Sequence, residues 1–241
     1  VDINSEMIFN YVKESRVLPK TAATNIDTYM SFFNEEIEKG YTVIHVNIGH
    51  KFSSCNQSAR LAAEEIGHDV YVVDSENLST GHGLVVCEIV DKIKEGKDAE
   101  TIISEIEEII PKVSASFVLN QLDYMVKGGR CSAVAALGAN LLNLKPCIEV
   151  KDGKMSVVKK YRGSYSKCLA AYVKDRLADR DDLDQEHLFV TRTPVTDECL
   201  DTVKKAVGEY GDFENIYWTE AGCTISCHCG PSTLGVLFIR K

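Results

Sequence analysis

Apolar residues in the first half of the chain recur at helical spacing and then as short β-branched runs. Met7, Ile8 and Val12 predict a helix over Ser5–Arg16, with Ser5 as its N-cap. The same pattern predicts helices over Ile26–Lys39, Asn56–Ile66, Leu84–Glu95 and Ala99–Ile110, and buried parallel strands from Tyr41 onward and over Val70–Asp74.

The second half of the chain carries a strong hairpin signal. Asp152-Gly153 separates the apolar runs Lys145–Val150 and Lys154–Lys160, and this dipeptide suits a tight turn between antiparallel strands. The pattern adds helices over Tyr165–Leu177 and Asp197–Tyr210, and strands over Ser116–Leu119, His187–Thr191, Asn215–Trp218 and Leu234–Ile239. A chain of 241 residues is long enough for two α/β domains, which we expect over residues 1–114 and 115–241.

Composition and charge narrow the range of functions. The formal net charge of −9 disfavours a general nucleic-acid binder or a protein that coats anionic membranes, because both need clustered Lys and Arg. No apolar run approaches the roughly 18–20 residues that span a bilayer, and Val1–Ser5 is not a basic leader. We therefore expect a soluble, cytoplasmic protein without an integral membrane segment. The nine cysteines form no C-x-x-C pair and are expected to be reduced thiols.

Three loops carry the candidate binding chemistry. Ser53 and Ser54 follow the first predicted strand and precede a helix, where hydroxyls and unpaired backbone N–H groups suit an anionic or carbonyl-bearing ligand. Gly128-Gly129-Arg130 places a guanidinium on a flexible backbone, which is a common way to approach an anion. His228 precedes a Gly-Pro turn and could donate a hydrogen bond to a carboxylate.

The cysteines around His228 leave an alternative open. Cys223, Cys227 and Cys229 could supply zinc ligands or a nucleophile, and the chain would then be a thiol- or zinc-dependent hydrolase. Neighbouring residues of a strand point to opposite faces, so His228 and the cysteines beside it are poorly placed as a dyad. The favoured interpretation of the segment Cys223–Cys229 is a strand with buried thiols.

Several motifs, taken together and in order, resemble one protein family. They are Lys20-Thr21, Phe52-Ser53, Val72-Val73-Asp74-Ser75, Asp123-Tyr124-x-x-Lys127-Gly128-Gly129-Arg130, Lys145-Pro146 and His228-x-Gly230-Pro231. This set resembles the DegV family, which includes the fatty-acid-binding subunits of bacterial fatty acid kinase. The resemblance runs over nearly the whole chain.

The resemblance implies two α/β domains, the first with a mainly parallel sheet and the second with a mixed sheet, and a ligand between them. One long-chain fatty acid would lie in a buried tunnel. Thr21 and Ser53 match the hydroxyls that bind its carboxylate, and Arg130 and His228 match positions near the same cleft. His50 and Ser54 are further candidates because they lie in the same loop as Ser53.

The resemblance also implies a non-catalytic carrier without a cofactor or a metal. A separate ATP-dependent kinase subunit would convert the presented carboxylate to an acyl phosphate, and Arg162 matches a basic position that could contact this partner.

The chain departs from the family pattern in its two hydroxyl-rich loops. The loops Thr21–Asn25 and Gly49–Cys55 lack two of the usual hydroxyls, and the second loop carries His50 instead. Ser232 replaces the glycine that usually follows Gly-Pro, and the family's first strand, expected before Val1, is absent from the sequence. These changes fall on residues expected to surround the carboxylate.

Overall fold

A computed structural model describes the fold of residues 3–136 and 144–241. The helices are α1 (Ser5–Ser15), α2 (Ile26–Glu38), α3 (Cys55–Ile66), α4 (Ser79–Lys94), α5 (Ala99–Ile109), α6 (Asp123–Gly128), α7 (Ser132–Ala135), α8 (Tyr165–Leu177), α9 (Asp197–Tyr210) and α10 (Cys223–Cys229), and a 3₁₀ turn covers Ile110–Lys112. The strands are β1 (Val43–Asn47), β2 (Val70–Asp74), β3 (Val113–Leu119), β4 (Leu144–Lys151), β5 (Lys154–Arg162), β6 (Leu183–Arg192), β7 (Asn215–Glu220) and β8 (Thr233–Arg240). Among the described residues, no helix combines the length and apolar content needed to cross a bilayer.

The chain forms two compact units, which we name by size. The small unit comprises Ala22–Val113 and Lys151–Lys154, and the large unit comprises the chain up to Thr21, Ser114–Val150 and Met155–Lys241. The expected domains were residues 1–114 and 115–241. The observed division differs because Lys151–Lys154 joins the small unit and the N-terminal segment joins the large unit. That segment belongs with the large unit because α1 packs against α10.

In the small unit, two parallel strands support a helical layer. β1 pairs with β2 from Val43↔Val70 to Asn47↔Asp74, as the parallel interpretation predicted. Tyr29 and Phe33 of α2 pack with Ala59 and Ala62 of α3, and these side chains form the core on one side of the strands. Both strands end at Asn47 and Asp74, so the loops that follow begin at the same edge.

The large unit is built on a mixed sheet of six strands. Its strand order is β5-β4-β3-β8-β6-β7, with β6 parallel to β7 and antiparallel to β8. Helices α8 and α9 cover the sheet with a core that includes Leu169, Tyr172 and Val203. Asp152 and Gly153 between β4 and β5 have φ of 49° and 65°, the positive values that a type I′ hairpin turn requires.

Several elements differ from the sequence predictions, and β3 and β6 begin earlier than expected. The prediction for Cys223–Cys229 was wrong, because this segment is helix α10 and not a strand. Helix α4 begins at Ser79, five residues before the predicted Leu84, since burial of its first turns outweighs the weak helix propensity of Gly81 and Gly83. The N-cap of α1 is Asn4, not Ser5, and its side chain accepts a hydrogen bond from the N–H of Met7 at 2.9 Å.

A buried tyrosine joins the two central strands of the large unit. The Tyr172 hydroxyl donates to the carbonyl of Ser116 in β3 at 2.7 Å and accepts from the N–H of Val236 in β8 at 2.8 Å. It also lies 2.9 Å from the Ser116 hydroxyl. One side-chain oxygen therefore satisfies backbone groups of two neighbouring strands.

We predict that Tyr172→Phe lowers the free energy of unfolding by about 2–4 kcal/mol, because it leaves buried backbone groups of both strands unpaired. Urea unfolding followed by circular dichroism measures the change. Tyr217→Phe is the matched control, since the Tyr217 hydroxyl has no hydrogen-bond partner in the described chain and is partly exposed. A loss below about 0.5 kcal/mol for Tyr172→Phe would show that the bridge does not hold the strands.

Two histidines of the small unit, His45 and His82, are partly buried. His45 of β1 contacts the rings of Tyr29 and Phe33, each at 5.2 Å between centroids. Burial lowers the pKa of His45, and the nearby His82 adds to this effect. Burial also lowers the pKa of His82, although its hydrogen bond to Val46 acts in the opposite direction. Both rings are therefore neutral in the folded protein at pH 7.

We predict that the protein loses stability as the pH falls from 7 towards 5. Below the unfolded-state pKa of about 6.5, the unfolded chain binds protons more readily than the partly buried rings of His45 and His82, whose pKa values are lowered in the folded state. Each such proton makes the free energy of unfolding fall by up to about 1.4 kcal/mol per pH unit. His82→Gln should flatten the pH dependence measured by thermal unfolding, and an unchanged pH dependence in this variant would contradict the role assigned to its ring.

Candidate ligand-binding site

The large unit brings Thr21 and His228 into contact although they are 207 residues apart in the sequence. The Thr21 hydroxyl lies 3.0 Å from Nε2 of His228, and both residues are partly buried. Thr21 follows α1 in an extended segment, and His228 lies in the last turn of α10. Two residues that the sequence singled out separately therefore form one polar group.

A glycine makes room for the His228 ring. A Cβ placed on Gly128 would lie 2.6 Å from Nδ1 of His228, closer than real Cβ contacts allow. The backbone at the end of α6 therefore packs directly on the ring. Arg130 follows, and its Nη1 donates to the carbonyl of Gly128 at 2.9 Å, while the residue itself stays exposed.

Burial lowers the pKa of His228, and the positive charge of Arg130 lowers it further. The ring is therefore neutral at pH 7 and carries one N–H. Nδ1 is buried and has no hydrogen-bond partner among the described residues. An unpaired buried N–H is rarer than an unpaired acceptor, so we assign the proton to Nε2, which then donates to Thr21. In this arrangement the hydrogen of the Thr21 hydroxyl remains available to an acceptor.

Ser53 lies in the small unit and hydrogen-bonds to the first residue of α3. Its hydroxyl donates to the thiol of Cys55 at 3.1 Å and accepts from the Cys55 N–H at 3.2 Å. Burial raises the pKa of the Cys55 thiol, but hydrogen bonds from Ser53, Thr24 and Tyr29 outweigh it, so this pKa lies below its ordinary value. Ser53 is thus part of a polar cluster that the sequence prediction did not contain.

Asn47 completes this cluster from the end of β1. Its side-chain amide donates to the Tyr29 hydroxyl at 3.2 Å, and only 4% of the residue is exposed. Its Oδ1 has no hydrogen-bond partner among the described residues. The position of Asn47, a polar residue that ends an apolar strand, is a signal that the sequence analysis could have used.

The other two candidates of this loop have different surroundings. His50 contacts Asp74 twice, through Nδ1 at 2.5 Å and through its backbone N–H at 3.2 Å. Ser54 is the N-cap residue of α3, but its exposed hydroxyl makes no capping hydrogen bond. The imidazole of His50 therefore has a carboxylate partner, whereas the exposed Ser54 hydroxyl makes no hydrogen bond that caps α3.

The surroundings of Cys227 and Cys229 do not favour the thiolate form that a cysteine nucleophile needs. Burial raises the pKa of Cys227, and it raises that of Cys229 to about 12. His228 contacts Thr21 and not a thiol. In the part of the chain that the structure describes, none of these cysteines belongs to a group of three possible metal ligands.

Arg162, the candidate for a partner contact, is the last residue of β5. Its side chain is exposed and forms no ion pair with a described residue. It is thus accessible, and nothing in its surroundings indicates a ligand.

A comparison with family models matches residues 1–241 to the model described as "Uncharacterised protein, DegV family". A DegV domain-containing protein of Clostridium acetobutylicum is 33% identical over 243 residues, covering 100% of this chain and 85% of that protein. A DegV domain-containing protein of Caldanaerobacter subterraneus subsp. tengcongensis is 28% identical with the same coverage.

Solved structures match the fold as well. The chain is similar to a DegV family protein from Thermus thermophilus, described for its fatty acid binding, with a TM-score of 0.91 and 26% identity over 99% of this chain and 85% of that one. A DegV family protein from Eubacterium eligens, loaded with heptadecanoic acid, matches with a TM-score of 0.84 over 100% of this chain and 86% of that one. At 20% identity it supports the fold alone. By the match to the family model over its whole length and by these relatives, the chain belongs to the DegV family.

Proposed function

We propose that this protein is a non-catalytic, cytoplasmic carrier that binds one long-chain fatty acid. The observation that carries the proposal is the contact between Thr21 and the neutral ring of His228, which leaves a hydroxyl hydrogen for a carboxylate. The Thermus thermophilus relative, described for its fatty acid binding, supports the same ligand class.

In this proposal Thr21 donates one hydrogen bond to the carboxylate, and Nε2 of His228 holds the hydroxyl in that orientation. Ser53 donates a second hydrogen bond after its hydroxyl rotates away from Cys55, and the exposed hydroxyl of Ser54 is an additional donor. A carboxylate offers about four acceptor positions, so several donors are needed to offset its burial. Arg130 lies close enough to His228 to add positive charge to the site, and the proposal does not require it to contact the carboxylate directly.

The acyl chain supplies most of the gross affinity. Burial contributes about 0.8 kcal/mol per methylene, or about 11 kcal/mol for a chain of ~14 methylenes before ordering costs. The polar residues then select for a ligand whose acyl chain ends in a carboxylate. We expect no cofactor in this role.

The proposed carrier leaves the chemistry to another protein. A separate ATP-dependent kinase subunit would accept the presented carboxylate and form the acyl phosphate. The raised pKa values of Cys227 and Cys229 keep these thiols protonated, which supports a carrier over the thiol hydrolase considered from the sequence. The exposed Arg162 is a candidate contact for the kinase.

We predict that protein purified from bacterial cells carries one long-chain fatty acid, detected as a difference between native and denatured masses and identified after solvent extraction. Thr21→Ala or Ser53→Ala should weaken binding about 10- to 100-fold, because each removes one hydrogen bond to a charged group. Thr21→Ser and Ser53→Thr keep the hydroxyl and should retain most of the affinity. A protein that contains no lipid and takes up no added fatty acid would rule the proposal out.

We predict that Gly128→Ala weakens fatty acid binding about tenfold, although the added methyl group would contact His228 and not the ligand. The added methyl group would displace the His228 ring and break its hydrogen bond to Thr21. Gly208→Ala in α9 is the control, since a Cβ there meets no atom within 4 Å. Equal affinities of the two variants, measured with a fluorescent fatty acid, would contradict the role assigned to the His228 ring.

A further inference from the structure

A groove on the large unit lies between α1 and the start of α6. It has a volume of about 320 Å³, and its walls include Phe9, Lys13, Arg16, Asp123, Tyr124 and Lys127. We call it the basic groove. It contains none of the residues that we assigned to the carboxylate.

Positive charges outnumber negative charges among the residues that line the basic groove. Lys13, Arg16 and Lys127 face one carboxylate, that of Asp123, and none of the three cations forms an ion pair with a described residue. The whole chain has 36 acidic and 27 basic residues, so such a grouping of cations runs against its overall charge. An anionic partner would find three cations along one groove, and its charge would complement theirs.

Two aromatic rings give the basic groove an apolar wall. Phe9 and Tyr124 meet edge to face with their centroids 5.7 Å apart. Tyr124 is held from behind by the backbone, because a Cβ on Gly230 would lie 2.7 Å from its ring. A partner could therefore combine negative charges with one apolar side chain placed against these rings.

The basic groove adjoins the segments that position the proposed carboxylate site. Helix α6 supplies Tyr124 and Lys127 to the groove and Gly128 to the His228 ring. Leu18, which also lines the groove, precedes Thr21 by three residues. A protein docked here would contact both segments that hold Thr21 and His228 together.

We infer that the basic groove docks a short acidic segment of a partner protein, with an apolar side chain between its carboxylates. This inference rests on the proposed function, in which the partner is the kinase that receives the carboxylate. The three cations are exposed on an open surface. Such a surface suits a peptide segment better than a small anion, which is usually enclosed by its site.

The test uses the fatty-acid-loaded protein and a synthetic peptide, acetyl-Asp-Glu-Phe-Asp-Glu-amide, titrated at low salt by heteronuclear NMR. The peptide should shift resonances of α1 and α6, and binding should weaken as salt rises. The double variant Lys13→Glu with Lys127→Glu should lose about tenfold or more in affinity. The neutral peptide acetyl-Asn-Gln-Phe-Asn-Gln-amide should bind at least tenfold more weakly to the unchanged protein.

The matched control is Lys204→Glu with Lys205→Glu, which alters two exposed residues of α9 and changes the net charge equally. This variant should bind the acidic peptide within about twofold of the unchanged protein. Equal losses in both double variants would overturn the inference, because binding would then follow net charge alone. Binding of ATP or inorganic phosphate that depends on Lys13 and Lys127, without peptide binding, would also overturn it.

Fatty acid content separates the two proposals. The variant with Lys13→Glu and Lys127→Glu should retain its lipid, since neither side chain belongs to the carboxylate site. Absence of lipid from all variants would overturn the carrier role, whereas the peptide titration still decides whether the basic groove binds an acidic segment.

Discussion

The ring of His228, at the end of α10, fits against α6 because residue 128 is a glycine. The ring of Tyr124 in α6 fits against the end of α10 because residue 230 is a glycine. Each of these two segments therefore packs a ring on a glycine of the other. This reciprocal packing holds α6 against the end of α10, and the position of Nε2 relative to Thr21 depends on it. A side chain on Gly128 would displace the His228 ring, and one on Gly230 would displace the Tyr124 ring.

Polar groups near the candidate site are fixed by hydrogen bonds to one another. Thr21 is oriented by His228, and Ser53 by the thiol and the N–H of Cys55. Such hydrogen bonds reduce the rotational freedom of the hydroxyls, so less ordering is needed when a ligand binds. The proposed ligand would still have to displace the hydrogen bond between Ser53 and Cys55, which makes Ser53 the more adaptable of the two residues.

The regular elements of the fold could largely be predicted from periodicity and turn chemistry. Strand β2 and helices α8 and α9 have the predicted bounds, because their apolar residues follow one period and clear signals mark their ends. Helix α10 could not be predicted, since Thr224 and Ile225 favour a strand locally and only its packing in the large unit makes it helical. For the site, the motifs identified Thr21 and His228, but their contact and the cluster of Tyr29, Asn47 and Cys55 depend on tertiary packing.

The position of β8 in the sheet affects how the large unit can be assembled during synthesis. This strand is the last of the strands described, yet it lies between β3 and β6 near the middle of the sheet. A ribosome therefore produces β3, β4 and β5 on one side and β6 and β7 on the other before the strand that joins them exists. Until β8 emerges, the inner edges of both groups are unpaired, and nascent chains would have to be protected from edge-to-edge association with each other.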